Sequence, residues 1–597
     1  MEPQDFDALS SNRSKRTTSH TRRRNGSHRR KKRKKFPIGC LLIIIIFLVA
    51  IVSLGTFVII HFSPTKEKAN LNNYFNVSNK NEIAITANNQ VLKTKGKLFD
   101  GKIYIPIDTI VSDINNRFYY DETEQILLYT LPDEQIQVGL NTKDYMVSLS
   151  RQSSNYIITR KEGNTLYVAL DFIKQYSNIT YSVYNNPNRV VILNGSSKVS
   201  LGTIKKDAPV RVLGGIKSPI LTTLKKDAKV VILHNETNWS KVSTSNGFVG
   251  YIKKSQYTSN GDGYFTSNKN FKKPVFEHNL LDKKVNLVWD NVTNTTANNN
   301  LVFRLRGAKG INVIAPTWLS LANTSGGVTS IASKSYVNTA HQKGLKVWPT
   351  LRDFDGGIKS NPETYNTLKL TSNRKKIIST VVSECTSIGA DGINLDFEMV
   401  GEKGAAPYIQ FIRELSVSCK DNNLVLSVDN YVPKEYNAHY NRKEQGNYAD
   451  YVVIMGYDEY FAGSTQAGPV SSYGYVKDGI EATLKDVDNS QVISGVAFFS
   501  RLWEEKNGSV SSKALSMEDS EKTISTNGGT LSWDDAKKLN YASWEKNGAT
   551  YKIWLEDSKS IEYKVKLVDK YNLAGGASWS LGQGSDKAWD VISKYLN

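Results

Sequence analysis

Cysteine is almost absent: three occur in 597 residues. Cys40 sits in an apolar run, and Cys385 and Cys419 alone cannot build a disulfide framework or a zinc-ligand spacing. No histidine cluster points to copper, and no nucleotide-binding motif is present, so no metal and no cofactor are expected. Charge is missing altogether from Ile38 to Ile60, a run of 23 residues. As a helix it spans about 35 Å, enough for the hydrocarbon core of a bilayer. It is also longer than the core of a cleaved signal peptide. Residues 36–60 therefore read as a transmembrane anchor.

The net charge of +20 is unevenly placed, because thirteen Lys and Arg lie between Arg13 and Lys35. Residues 1–35 read as a basic, Ser- and Asn-rich, disordered tail. Basic residues directly before a span orient it, so the tail is expected in the cytoplasm, against anionic lipid, with everything after the span outside. The same placement argues against a nucleic-acid partner. An outward-facing chain poor in cysteine and rich in Lys, Asn and Ile suits the surface of a Gram-positive bacterium.

Several domains follow. Residues 62–80 read as a polar stalk. Within 81–195, Ile103-Tyr104-Ile105-Pro106-Ile107-Asp108 returns 63 residues later as Leu166-Tyr167-Val168-Ala169-Leu170-Asp171. Each copy reads as strand, short helix, hairpin. This resembles the small α+β repeat domain named after the N-terminal region of copper amine oxidases; unrelated small α+β modules stay open as a reading. Residues 198–257 alternate short strands with tight turns at Gly247 and Gly250, and resemble a bacterial SH3-like barrel, with a spacer built on a core Trp239 as the alternative. Residues 260–280 read as a linker. From 280 to 597 strands and helices alternate, with strands expected at 285–290, 311–318, 345–351, 391–398, 424–430, 450–457, 492–499 and 574–580. Eight βα units predict a (β/α)8 barrel with an α+β insertion at about 503–556. That insertion carries Trp533, Trp544 and Trp554 and is expected to wall one side of a cleft.

The fourth of those strands carries the chemistry. In Asp391-Gly392-Ile393-Asn394-Leu395-Asp396-Phe397-Glu398, apolar and polar residues alternate, so one face is apolar and the other holds Asn394, Asp396 and Glu398. Parallel strands are ordinarily apolar on both faces, and carboxylates turned to a buried interior are costly without a purpose. The spacing resembles the strand-four signature of glycoside hydrolase family 18, Asp-x-x-Asp-x-Asp-x-Glu, with Asn394 as a departure associated with its spore-cortex and cell-wall branch.

That resemblance implies substrate-assisted retaining hydrolysis, in which the acetamido group of the sugar attacks its own anomeric carbon. It makes Glu398 the general acid and Asp396 the group that orients the acetamide and raises the pKa of Glu398. Asn394 can hydrogen-bond Asp396 but cannot share its proton, and Asp391, off the alternation, is structural. Further along, Met455-Gly456-Tyr457-Asp458 resembles the strand-six motif, with Tyr457 on the acetamide carbonyl, Asp458 on the sugar and Met455 lining the site. Trp579 resembles the strand-eight floor of the sugar subsite, and Trp554 the segment before the last helix. The strand-three sequence Leu345 to Leu351 lacks the Ser-x-Gly-Gly of many chitinases. The leading expectation is a membrane-anchored enzyme that cuts a β-1,4 bond after N-acetylglucosamine in peptidoglycan or another N-acetylglucosamine polymer. A chitinase or chitooligosaccharidase, and a catalytically silent sugar-binding protein on the same fold, stay open.

Overall fold

Strands form where the sequence has short apolar runs between helices: Val285–Asp290, Val313–Pro316, Lys346–Val347 continued by Thr350–Arg352, Gly392–Asp396, Val425–Tyr431, Tyr451–Met455, Val492–Ala497 and Gly575–Trp579. In this computed structural model, which describes residues 38–596, each pairs in parallel with the next. The eighth pairs with both the seventh and the first, which closes the ring. Gly575 permits that closure: a Cβ there would stand 1.9 Å from the carbonyl oxygen of Val285. Gly389, at φ 78°, ends the helix Thr371–Ile388 and turns the chain into the fourth strand.

Two apolar cores follow from the alternation along the strands. Ile393, Leu395 and Phe397 face the helix ring and pack with residues such as Val381, Cys385, Phe411 and Leu415. Inside the ring lie Leu287, Trp289, Trp348, Val453, Met455, Tyr457 and Ala577. The polar face of the fourth strand therefore turns into the barrel, as its sequence predicts.

The insertion begins earlier than 503. Phe499–Lys506, Ser509–Ser516, Ser532–Asp534, Leu539–Lys546 and Ala549–Leu555 form a five-stranded antiparallel sheet beside the helix Met517–Thr526. Its core is small, consisting of Leu502, Ile524, Ala542, Ile553 and Leu555.

Ahead of the barrel the chain is rich in β structure. The repeated segments are strands Lys102–Pro106 and Thr165–Ala169, each followed by a short helix and a hairpin. They pair antiparallel with each other, Val168 opposite Ile105. The first copy's hairpin opens a separate five-stranded sheet, Phe118 to Ser153. That sheet packs on barrel helices, where the Tyr448 hydroxyl donates to the Thr130 carbonyl at 2.5 Å and Gln410 Nε2 to Thr130 Oγ1 at 3.0 Å. Residues 198–264 form a seven-stranded antiparallel sheet with a core of Val210, Val230, Val242, Phe248 and Ile252; Trp239 is half-buried, outside that core.

The stretch expected to be a polar stalk, 62–80, is anchored in part. Leu71–Phe75 is a helical turn capped by Asn70, Phe75 is fully buried among that sheet's core residues, and the Tyr74 hydroxyl donates to the Val249 carbonyl at 2.8 Å. Two aromatics outweigh the polar average of the segment. The 260–280 linker is likewise pinned: buried Asn268 donates to the carbonyls of Lys174 and Ser177.

By itself, Ile38–Phe62 is a 25-residue helix, long and apolar enough to cross a membrane. The basic tail 1–35 lies outside the described residues.

Candidate active site

At the C-terminal end of the barrel, a cavity of about 200 Å³ opens over the fourth strand. Catalytic groups in this architecture sit at that end. Asp396 and Glu398 come to it from strand four, Arg352 and Asp355 from strand three, Asp429 and Tyr431 from strand five, Met455, Tyr457 and Asp458 from strand six. Trp289 of strand one and Trp579 of strand eight, with ring centroids 6.1 Å apart, line it together with Asn291 and Phe354. The register sets the layers: Asn394 lies opposite Thr350 and Ser427, and Asp396 opposite Arg352.

Glu398 is held from two sides. Its backbone amide donates to Asp353 Oδ1 at 2.7 Å, and Asp353 also accepts from the amide of Met399 and the hydroxyl of Thr364. Its carboxylate accepts from the hydroxyl of Tyr431. Burial pushes the Glu398 pKa up, and the negative fields of Asp353, Asp458 and Asp355 add to it, against the Tyr431 hydrogen bond. A carboxyl whose pKa is raised in this way, in a cleft, can serve as a general acid. Asp396, buried, is raised by burial and then by Glu398 and Asp429, and Arg352 opposes. Its Oδ1 is buried without a partner, on a residue that lines the cavity.

Below them, Asn394 is fully buried and uses its whole amide. Nδ2 donates to Asp429 Oδ1 at 2.8 Å and Ser427 Oγ at 3.0 Å, while Oδ1 accepts from Trp289 Nε1 at 3.0 Å and Thr350 Oγ1 at 3.1 Å. The expected hydrogen bond from Asn394 to Asp396 is therefore replaced by one to Asp429. Two residues apart on one strand, side chains are separated by the length of a pleat, whereas a neighbouring strand brings Asp429 alongside. Burial pushes Asp429 up to about 8, against the hydrogen bonds from Asn394 and Trp289. Asp353 is pushed up to about 6 by burial, against the amide donors it serves.

Of the other expected residues, Tyr457, Met455, Asp458 and Trp579 line the cavity. Asp391 does not: it binds Lys346 Nζ and His341 Nε2 at 2.8 Å and the amide of Val347, at the start of its strand, and is structural. Trp554, by contrast, is not where it was expected. It lies in the insertion sheet against Tyr541, ring centroids 4.9 Å apart, and none of the insertion's tryptophans lines the cavity. Sequence reasoning missed Arg352, Asp353, Asp429, Tyr431 and Trp289. The signal for two of them was present: Ser427-x-Asp429-x-Tyr431 is a second polar face on a parallel strand. Among the described residues no cluster of His, Cys, Asp and Glu is set to hold a metal.

Residues 289–584 match the family described as Glycosyl hydrolases family 18. The chain is 24% identical over 295 residues to the uncharacterized glycosylase YvbX of Bacillus subtilis (strain 168), covering 45% of this chain and 80% of that protein. It is 25% identical over 236 residues to the cortical fragment-lytic enzyme of the same organism, covering 38% of this chain and 54% of that enzyme. Among solved structures, the spore cortex-lytic enzyme SleL of Bacillus cereus aligns at 18% identity and a TM-score of 0.49, over 58% of this chain and 79% of that chain.

Proposed function

Residues 289–584 are a family 18 glycosyl hydrolase domain, and from that premise we propose that the chain is a membrane-anchored enzyme cleaving a β-1,4 bond after N-acetylglucosamine in peptidoglycan. The observation that carries the proposal is the environment of Glu398: a carboxyl raised by burial and by surrounding carboxylates, gripped by Tyr431, beside an Asp396 with an idle buried oxygen.

In this reading Glu398 gives its proton to the glycosidic oxygen as that bond breaks. The acetamido oxygen of the same sugar closes on the anomeric carbon, so no second protein carboxylate is needed as nucleophile. Asp396 takes the acetamide N–H, and its charge offsets the positive charge that develops on the ring formed by the acetamide. Tyr457 donates to the acetamide oxygen and fixes its approach. Water, with Glu398 now acting as base, opens the ring with retention. Trp579 and Trp289 supply the apolar floor.

The helix Ile38–Phe62 and the basic segment before it support an anchor with residues 1–35 in the cytoplasm. The repeat domain is then an accessory module of the copper amine oxidase N-terminal-like kind, and the strand-rich segment 198–257 an SH3-like module that holds cell-wall material. Relatives named for cortical fragment lysis favour peptidoglycan over chitin.

The test is a turnover assay on purified peptidoglycan fragments beside N-acetylglucosamine oligomers, with Glu398→Gln as the blank. New reducing ends on N-acetylglucosamine from peptidoglycan are expected. Cleavage of the oligomers alone would make the protein a chitinase, and binding without turnover would make it a lectin. Protease added to intact cells should leave a small protected remnant near residues 1–60; a protected barrel would reverse the topology.

A further inference from the structure

The cavity contains a single cation. Arg352, which ends the third strand opposite Asp396, is the one basic side chain among the described residues that line it, against Asp355, Asp396, Glu398, Asp429 and Asp458. Its side chain is 12% exposed, and its five N–H donors are poorly used. Nη1 donates to Asp355 Oδ2 at 3.1 Å, but that carboxylate is 68% exposed. Nη2 reaches only the Thr317 carbonyl at 3.4 Å and Ser320 Oγ at 3.5 Å. Nε is buried without a partner. The guanidinium lies 5.4 Å from the Phe354 ring, which restricts where it can point.

A buried donor left unpaired is costly. An ion pair with an exposed partner contributes little, so an arriving anion can displace Asp355 readily. The planar fork of a guanidinium matches a carboxylate in two-pronged fashion. A polymer of N-acetylglucosamine alone is neutral and offers nothing to such a group. Peptidoglycan carries a carboxyl group on the lactyl ether of N-acetylmuramic acid where no stem peptide is joined to it, and on the stem peptide where one is.

Resting on the peptidoglycan reading above, we propose that Arg352 is a specificity-determining residue that binds a carboxylate carried by the glycan next to the sugar being cleaved. The competing use of this charge is to hold down the neighbouring acid Asp396, which Arg352 opposes. That role would act on every substrate alike, which separates the two.

The experiment uses the full chain and four substrates: peptide-free glycan with free lactyl carboxylates, the same glycan with those carboxyls converted to neutral amides, peptide-bearing glycan, and N-acetylglucosamine oligomers. With the parent protein, a free carboxylate is expected to raise kcat/KM about tenfold to a hundredfold over its blocked counterpart, chiefly through KM. Arg352→Gln should collapse that preference, and Arg352→Lys should restore part of it. Preference for peptide-free glycan assigns the carboxylate to the lactyl group, and preference for peptide-bearing glycan assigns it to the stem peptide; either upholds the proposal. Equal rates of the parent protein on free and blocked glycans overturn it without any variant having to fold. An equal fall on all four substrates in Arg352→Gln overturns it too, in favour of the electrostatic role. If the parent protein cleaves only the N-acetylglucosamine oligomers, the peptidoglycan reading itself fails.

Discussion

Asp121 caps a helix that begins 250 residues after it. Its Oδ2 accepts from the backbone amide of Thr371 at 2.6 Å and from Thr371 Oγ1 at 2.8 Å. The residue before that helix is Leu370, which has no side-chain acceptor, so the orphan amides of the first turn are satisfied from another domain. Glu124 takes the next one, the amide of Ser372, at 2.9 Å. Two carboxylates at a helix N-terminus also suit its dipole. The helix so capped, Thr371–Ile388, delivers the chain into the strand bearing Asp396 and Glu398.

Removing the cap should therefore loosen the barrel from outside it. Asp121→Ala is expected to cost about 0.5–2 kcal/mol, seen as a lower thermal midpoint, and Asp121→Asn, which keeps an acceptor, should cost less. Equal midpoints for Asp121→Ala and the parent protein would show that the interface does not support the helix.

Glu398→Gln keeps the shape of the acid and removes its proton. Hydrolysis should fall by about 10²–10⁴, while sugar oligomers still bind, as titration calorimetry would report. Retention of more than a tenth of parental turnover would mean that another group protonates the leaving oxygen.

Asp353→Asn leaves an oxygen for the amides of Glu398 and Met399 but removes a charge. Above about 6, where Asp353 ionises, its field raises the Glu398 pKa. The variant lacks that push, so its alkaline limb should move to lower pH. Below about 6 Asp353 is neutral in the parent protein as well, and the two pH–rate profiles should converge there. Superimposable alkaline limbs would disprove the coupling.

Asn394→Asp puts a second carboxyl where an amide now donates to Asp429 at 2.8 Å. Two carboxyls at that distance share one proton, so the pair's folded-state pKa rises above its unfolded value. A raised carboxyl pKa means that stability present at low pH is lost as pH rises through it. Thermal midpoints of variant and parent protein should thus lie close at pH 5 and separate at pH 8. A constant gap would show that the new carboxyl is not coupled to Asp429.

The barrel strands were legible because each is a short apolar run between amphipathic helices, and the fourth strand's polar face was legible because alternation is local. What escaped lay across strands. Asp429 meets Asn394, and Asp353 meets the amide of Glu398, only through the register of the closed ring, which no local spacing encodes. Arg352 was hidden for a different reason, since a lone arginine after an apolar run reads as the end of a strand. Trp554 was misplaced because motif order says which segment an aromatic belongs to, not which way it faces. The stretch expected to be a stalk docks in part because two aromatics in it, Tyr74 and the fully buried Phe75, outweigh its polar average.

The insertion also bears on how the ring closes during folding. The chain leaves the seventh strand at Ala497 and returns at Gly575, which must slot between the seventh strand and the first. Closing so long an excursion as a loose coil is entropically slow. Two of its turns, Asn507-Gly508 and Asn547-Gly548, have positive φ at both residues, the backbone that tight hairpins need. These hairpins can form from neighbours in sequence, and their inner strands then pair, Leu502 opposite Ile553. Once paired, they bring the two ends of the insertion side by side, and the last strand reaches its gap through a single helical crossover, Ser558–Lys570, of the length that joins the other strands of the ring.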